Sequence, residues 1–233
     1  NEILCTTKDV LTEEREMVEL AKENLGKVKP LSLDIDPKTS DQQERAINEV
    51  LTTTNRISII RGAAGSGKTT LMKKAITLIE ETGKKVTVVA PTASASRGVL
   101  KSEGHENADT VARLLADKAM QEELKNGVLW VDESGLLGTK AMLDLLRLTK
   151  KQNARLILSG DDKQHSSVIR GDALRVLKKI ARIPTAEVNV IRRQRNEIYK
   201  AAVEDLANGN VASGFEKLDK MGTIKVFDPD QDY

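Results

Sequence analysis

The sequence predicts an α/β fold, a parallel β-sheet with helices on both faces, preceded by a helical extension. Three observations predict it. Short runs rich in Val, Ile and Leu recur with little polar alternation, at 57–60, 86–89, 128–131 and 156–158. Strands apolar along their whole length are buried on both faces, as parallel strands are. Helix-period stretches separate them, near 67–82, 93–120 and 139–151, and regular strand–helix alternation is the pattern of crossover connections. Finally, the chain has 233 residues, 39% hydrophobic and 31% charged, a globular composition at a size that buries a full core.

Each element follows in order. Residues 6–26 read as a helix, with Val10, Met17, Val18, Ala21 and Leu25 at helical spacing and Gly26 to end it. Its other face is acidic (Glu13, Glu14, Glu16, Glu19, Glu23) and reads as a solvated face. Pro30 and Pro37 mark 27–38 as a linker. A second helix is expected near Ser40, where Ser40-x-x-Gln43 has the form of a capping box. The strand–helix alternation then runs to 158. A further strand is expected at 188–191, a helix to about Asn208, and a weak strand at 224–227. Trp130, inside an apolar run, reads as core rather than as a stacking platform.

Charge and composition exclude several classes. Lys and Arg number 37 against 35 Asp and Glu, a net charge of +2, so a nucleic-acid site must be a local patch. Tyr, Phe and Trp total five residues, which argues against an interface of stacked aromatics. Cys5 is the only cysteine, so an intrachain disulfide is impossible and a cytoplasmic location fits. No apolar run approaches the ~18 residues of a membrane span. Two isolated histidines, His105 and His165, give no metal-ligand spacing. The chain starts at Asn1, which suggests an excised fragment.

Gly62-Ala63-Ala64-Gly65-Ser66-Gly67-Lys68-Thr69 fits G-x-x-x-x-G-K-[ST], after a strand and opening a helix. This is the pattern of a P-loop. Glycines let backbone N–H groups turn inward around phosphates, and the helix start adds its positive end. Gly62, Ala64, Gly65, Ser66, Gly67, Lys68, Thr69 and Thr70 are therefore the expected ATP-binding residues. Lys68 is expected to reach the β- and γ-phosphates and Thr69 to ligate Mg²⁺. Asp132-Glu133 ends the run 128–131, where an open sheet meets its ligand. Asp132 suits a Mg²⁺ shell and Glu133 a general base on water; an acidic helix start is the alternative.

Further blocks occur in order. They are Ser40-Asp41-Gln42-Gln43, Ala90-Pro91-Thr92-Ala93, Ala108-Asp109-Thr110-Val111 with Arg113, Val131-Asp132-Glu133-Ser134, Gly160-Asp161-Asp162-Lys163-Gln164 and Arg192-Arg193-Gln194. On this ordered set the chain resembles superfamily 1 helicases of the RecD-like branch. More narrowly, His165-Ser166-Ser167-Val168 and Gly171-Asp172-Ala173-Leu174-Arg175 look like the helicase portion of TraI/TrwC-type conjugative relaxase–helicases. The resemblance implies a RecA-like ATP-binding lobe over 39–185, after an extension and linker at 1–38 and before 186–233, the start of a second lobe or a C-terminal extension. It implies that Gln43 contacts the adenine, Gln164 senses the γ-phosphate (motif III) and Arg193 acts as an arginine finger (motif IV). It also implies single-stranded DNA, the rest of a parent relaxase–helicase chain and conjugation machinery as partners. No match to motifs V and VI follows Arg193, so the second lobe is expected to be absent or only begun. Such a fragment is expected to bind nucleotide weakly and not to unwind duplexes.

The DNA path is the least determined part. Pro91, Thr92, Ser94, Arg97, Thr110 and Arg113 match the family's blocks along the single strand, but Thr and Ser at helix starts are equally ordinary caps. Spacing alone singles out 171–182. Ala173, Leu174, Leu177, Ile180 and Ala181 form an apolar face, and Arg175, Lys178, Lys179 and Arg182 a basic stripe. Residues 171–200 hold eight Lys and Arg against three Asp and Glu, whereas 1–40 hold six against nine. The stripe serves nucleic acid or a partner, or is a solvated face. Two rivals to the motor reading remain open: a DNA- or partner-gripping module, and a P-loop ATPase that does not act on DNA.

Overall fold

The computed structural model describes residues 7–32, 39, 41–62, 67–102, 104–161, 172–188, 197–207 and 209–224. Helix α1 (Lys8–Glu23) starts where the Thr7 hydroxyl accepts the Val10 N–H at 3.3 Å. Helix α2 (Gln42–Thr52) is capped by Asp41, whose carboxylate accepts the N–H groups of Gln43 and Glu44 at 2.8 and 3.2 Å; Ser40 lies outside the described residues. One carboxylate thus satisfies two orphan donors. Strand β1 (Ile57–Gly62) leads to α3 (Lys68–Glu81) and β2 (Val86–Ala90).

The helix expected at 93–120 is instead four pieces. They are a π-helix at Ser94–Leu100, strand β3 (Asp109–Thr110), α4 (Val111–Ala116) and α5 (Lys118–Glu123). Two caps break it: the Thr110 hydroxyl accepts from Arg113 N–H, and the Asp117 carboxylate from Ala119 and Met120. Both polar side chains offer the backbone an alternative to continued helix. Strand β4 (Val128–Val131), a 3₁₀ turn at Ser134–Leu136, α6 (Thr139–Lys151), β5 (Arg155–Gly160), α7 (Ala173–Lys179) and β6 (Thr185–Val188) follow. β6 begins earlier than the strand expected at 188–191. Its parallel pairing with β1 runs from Ile59 opposite Thr185, the residue after Pro184, to Gly62 opposite Val188.

The described strands make one parallel sheet in the order β3-β2-β4-β5-β1-β6. Two apolar layers cover it. On one face α1, α4, α6 and α7 bury Met17, Leu114, Leu146 and Leu174 against Ile57, Leu129 and Leu156. On the other, α2 and α3 bury Ile47, Val50, Leu71 and Ile79 against Ile60, Trp130 and Ile157. α1 therefore shares the sheet's core. Its acidic face is not simply solvated, because Glu16 pairs with Arg147 and Glu23 with Lys150, both on α6.

The chain divides into two compact units, 1–62 with 68–189, and 63–67 with 190–233. Residue 186, where a boundary was expected, lies inside β6 and pairs with Ile60. In the second unit α8 (Glu197–Ala207) and α9 (Val211–Lys220) are joined by a Lys217–Asp205 ion pair at 2.5 Å. α9 is absent from the sequence expectation, because Gly214 in its middle weakens the helical signal. The weak strand expected at 224–227 falls almost wholly outside the described residues.

Candidate nucleotide site and a neighbouring basic edge

The carboxyl ends of β1, β4 and β5 lie side by side, the place where open α/β sheets meet ligands. Gly62 ends β1 and Lys68 begins α3; the Lys68 ammonium donates to the Gly62 carbonyl at 2.8 Å. Gly67 has φ 79°, a conformation that glycine adopts without penalty. Thr69 is half-buried and Thr70 exposed at the start of α3. Ala64, Gly65 and Ser66 lie outside the described residues, as do Gln164 and Arg193. Gln43 is buried on the first turn of α2.

Asp132 stands one residue past β4, its N–H bonded to the Val89 carbonyl of β2 at 2.9 Å. Its Oδ1 accepts the Ser159 hydroxyl at 2.7 Å. Glu133 is exposed and has φ 49° and ψ 34°, the left-handed region that a residue with a Cβ seldom occupies. Two close approaches weld this turn to the end of β5. A Cβ on Gly135 would sit 2.8 Å from the Asp161 carbonyl, and one on Gly160 3.2 Å from the N–H groups of Ser134 and Gly135. The Ser134 hydroxyl, fully buried, donates to the Ser159 carbonyl at 2.9 Å.

A second cluster joins the P-loop strand to motif III. Arg61, just before Gly62, pairs with Asp161 at 3.6 Å and with Glu187 of β6 at 2.8 Å, and Lys178 of α7 also reaches Glu187 at 2.7 Å. Burial pushes the Glu187 carboxyl up, but Lys178 and Arg61 outweigh it and hold it below its ordinary value. Sequence reasoning missed Arg61 and Ser159. The available signal for Ser159 was the strand period: it is a polar residue on the same face as Ile157, at the end of an apolar run beside an acid.

The donor chemistry fits Mg²⁺. The Thr69 hydroxyl and Asp132 carboxylate are hard oxygens, and this ion is commonly held by one or two protein oxygens plus phosphates and water. Among the described residues there is no cluster of three His, Cys, Asp or Glu that would favour another kind of metal site.

The expected DNA residues fall into two places. β2 and β3 pair with Val89 opposite Asp109 and Ala90 opposite Thr110. This brings Pro91, Thr92, Ser94 and Arg97 beside Thr110 and Arg113 at one edge of the sheet. Asp109 bridges the two arginines, at 3.6 Å from Arg97 and 3.1 Å from Arg113, while both guanidiniums stay more than half exposed. The Thr92 and Thr110 hydroxyls are occupied as helix-start acceptors for Ala95 and Arg113. On α7 the basic stripe is partly neutralised: Arg175 pairs with Asp172 at 2.5 Å and Lys178 with Glu187. Lys179 and Arg182 are exposed. Ala173, Leu174, Leu177 and Ala181 are buried as expected, but Ile180 is exposed because the helix ends at Lys179 and its periodicity stops there.

A family model described as an AAA domain matches residues 38–229. The conjugal transfer protein TraA of Agrobacterium fabrum is 34% identical over 175 residues, covering 75% of this chain and 16% of that protein. The multifunctional conjugation protein TraI of Escherichia coli K12 is 27% identical over 199 residues, covering 81% of this chain and 11% of TraI. The ATP-dependent RecD2 DNA helicase of Deinococcus radiodurans is 33% identical over 156 residues, 64% of this chain and 21% of the helicase. The chain thus spans less than a quarter of the length of each of these relatives. Among the described residues no helix is long and apolar enough to cross a membrane.

Proposed function

The chain belongs to the AAA domain family, and from that premise we propose that it is the ATP-hydrolysing motor lobe of a single-stranded-DNA translocase of the conjugative relaxase–helicase type. The observation that carries this reading is the convergence at one sheet end of Gly62, Lys68 and Thr69 from the P-loop, Asp132-Glu133 from β4 and Asp161 from β5. Relatives named for conjugal transfer and for DNA helicase activity support the substrate class.

In this reading the P-loop backbone grips the phosphates of ATP, and the Lys68 ammonium exchanges the Gly62 carbonyl for the β- and γ-phosphate oxygens. Thr69 and Asp132 hold Mg²⁺, which when bound neutralises charge on the transferred phosphoryl. Glu133 takes the proton of the attacking water. Gln43 contacts the adenine and Gln164 senses the γ-phosphate. Arg193 stabilises the transition-state charge, a contribution of ~10³–10⁵ in rate where such fingers act. The edge formed by Thr92, Arg97, Thr110 and Arg113 holds the sugar–phosphate backbone of single-stranded DNA. Hydrolysis drives stepping only when the rest of a relaxase–helicase chain supplies the partner lobe, and such a motor works in the cytoplasm.

ATP turnover measured with and without single-stranded DNA tests this, with Lys68→Ala as control. DNA-stimulated turnover, lost in Lys68→Ala, is the expected result. DNA binding without turnover would make the chain a gripping module, and turnover indifferent to DNA would make it an ATPase of another kind.

A further inference from the structure

Trp130, Ser159 and Asp132 form a chain of two hydrogen bonds that runs from the core to the carboxylate assigned to Mg²⁺. It follows from strand geometry. Val128, Trp130 and Asp132 share one face of β4 and its extension, because side chains alternate along a strand. β4 and β5 pair with Val131 opposite Leu158, so the next pair in register sets Asp132 opposite Ser159, with Trp130 diagonal to it. All three side chains therefore project to the face covered by α2 and α3, where Trp130 is fully buried.

The direction of the relay is fixed by chemistry. An indole nitrogen only donates, and an ionised carboxylate only accepts. The Trp130 Nε1–H donates to Ser159 Oγ at 2.8 Å, so the hydroxyl must point its own proton elsewhere. Two acceptors are near: Asp132 Oδ1 at 2.7 Å and the Val131 carbonyl at 3.4 Å. The shorter, charge-assisted bond wins. A buried indole that needs a partner is thereby coupled to a carboxylate that needs an orientation.

The geometry points to Ser159 as a positioning residue for Asp132, held in turn by the Trp130 indole, so that one carboxylate oxygen is tied down and the other is presented to the metal's water shell. This rests on the motor reading above and deepens it. Ser159 touches neither nucleotide nor metal; it acts through Asp132. Partners of this kind set the rotamer of a metal-holding group, and their loss costs ~10–100-fold in metal affinity.

Trp130 is the sole tryptophan, so its emission reads the relay directly. The experiment compares the native protein with Ser159→Ala, Ser159→Thr and Trp130→Phe. In nucleotide-free protein, Ser159→Ala is expected to shift the emission to the blue, because the indole N–H loses its acceptor. Titration of the ADP-bound protein with Mg²⁺ is expected to change the native emission and to need ~10–100-fold more Mg²⁺ in Ser159→Ala. The half-saturating Mg²⁺ for turnover is expected to rise in parallel while the KM for ATP at saturating Mg²⁺ stays put. Ser159→Thr, which keeps the hydroxyl, is expected to restore the native Mg²⁺ requirement. Trp130→Phe, read by turnover alone, is expected to raise that requirement by less than Ser159→Ala, since the Ser159–Asp132 bond remains. A Mg²⁺ requirement unchanged in both Ser159→Ala and Trp130→Phe overturns the relay. A native protein whose emission and turnover ignore Mg²⁺ and nucleotide altogether overturns the motor reading first, and the relay with it.

Discussion

Glu133 sits in the left-handed region at φ 49°, as do Asn126, Asn153 and Arg182; the asparagines tolerate it through short polar side chains, whereas glutamate does not. Such a conformation costs about 1–2 kcal/mol for a side chain of this kind and persists because the Gly135 and Gly160 contacts overdetermine the turn. In the proposed function this residue is the general base on water. Glu133→Gly is therefore expected to raise the thermal midpoint by a margin equivalent to about 1 kcal/mol while abolishing turnover. Glu133→Gln is expected to abolish turnover with no such gain. Calorimetry on both variants, beside an ATPase assay, separates strain from chemistry; a Glu133→Gly no more stable than the native protein rules the strain out. The acid pair after an apolar run was legible in the sequence, since residue type and place in the alternation announce it. The backbone conformation of Glu133 was not, because nothing local to Asp132-Glu133-Ser134 demands a positive φ until β5 packs against it.

Two elements show how packing and surface charge divide their roles. α1 is joined to α6 both by the buried Met17 and by the Glu16–Arg147 and Glu23–Lys150 pairs. Met17→Ala is expected to cost about 2–5 kcal/mol, the usual penalty for a buried large-to-small change. Glu16→Gln is expected to cost less than about 1 kcal/mol, because an exposed pair gains little over its hydrated state. Denaturant unfolding of both variants measures the difference. At the edge made by β2 and β3, Arg97 and Arg113 share Asp109 and remain exposed. Arg97→Glu with Arg113→Glu is expected to weaken single-stranded DNA binding and to flatten its salt dependence by about 1.4, two phosphate contacts at ~0.7 each. Affinity and salt slope equal to the native values would remove this edge from the DNA path. The sequence brought out both segments as separate blocks; only parallel pairing of Val89 with Asp109 made them one surface.

Across the molecule, one ion-pair cluster ties the strand before the P-loop to motif III and to β6. Glu187 is its hub, between Arg61 and Lys178, with its pKa held below the ordinary 4.5. A carboxyl with a depressed folded-state pKa contributes stability in full above the unfolded value. That contribution is lost as pH falls through the folded value. Stability is therefore expected to decline below about pH 4.5, the ordinary value, and Glu187→Gln is expected to shallow that decline. Urea midpoints measured from neutral pH down to the acid limb check it; an acid limb of equal slope in the variant would remove Glu187 as a contributor. The parallel α/β class, the P-loop, the Asp132-Glu133 pair and the family blocks were readable residue by residue. Hydrophobic period and glycine-rich spacing are properties of a few neighbouring residues, and local rules reach that far. The break-up of 93–120, the Asp41 cap, Lys178's pairing and the Trp130–Ser159–Asp132 relay depended on partners up to 30 residues away or on competing caps. The relay's energy exists only once β4 and β5 lie in register, and register is a property of the folded sheet, not of either strand alone.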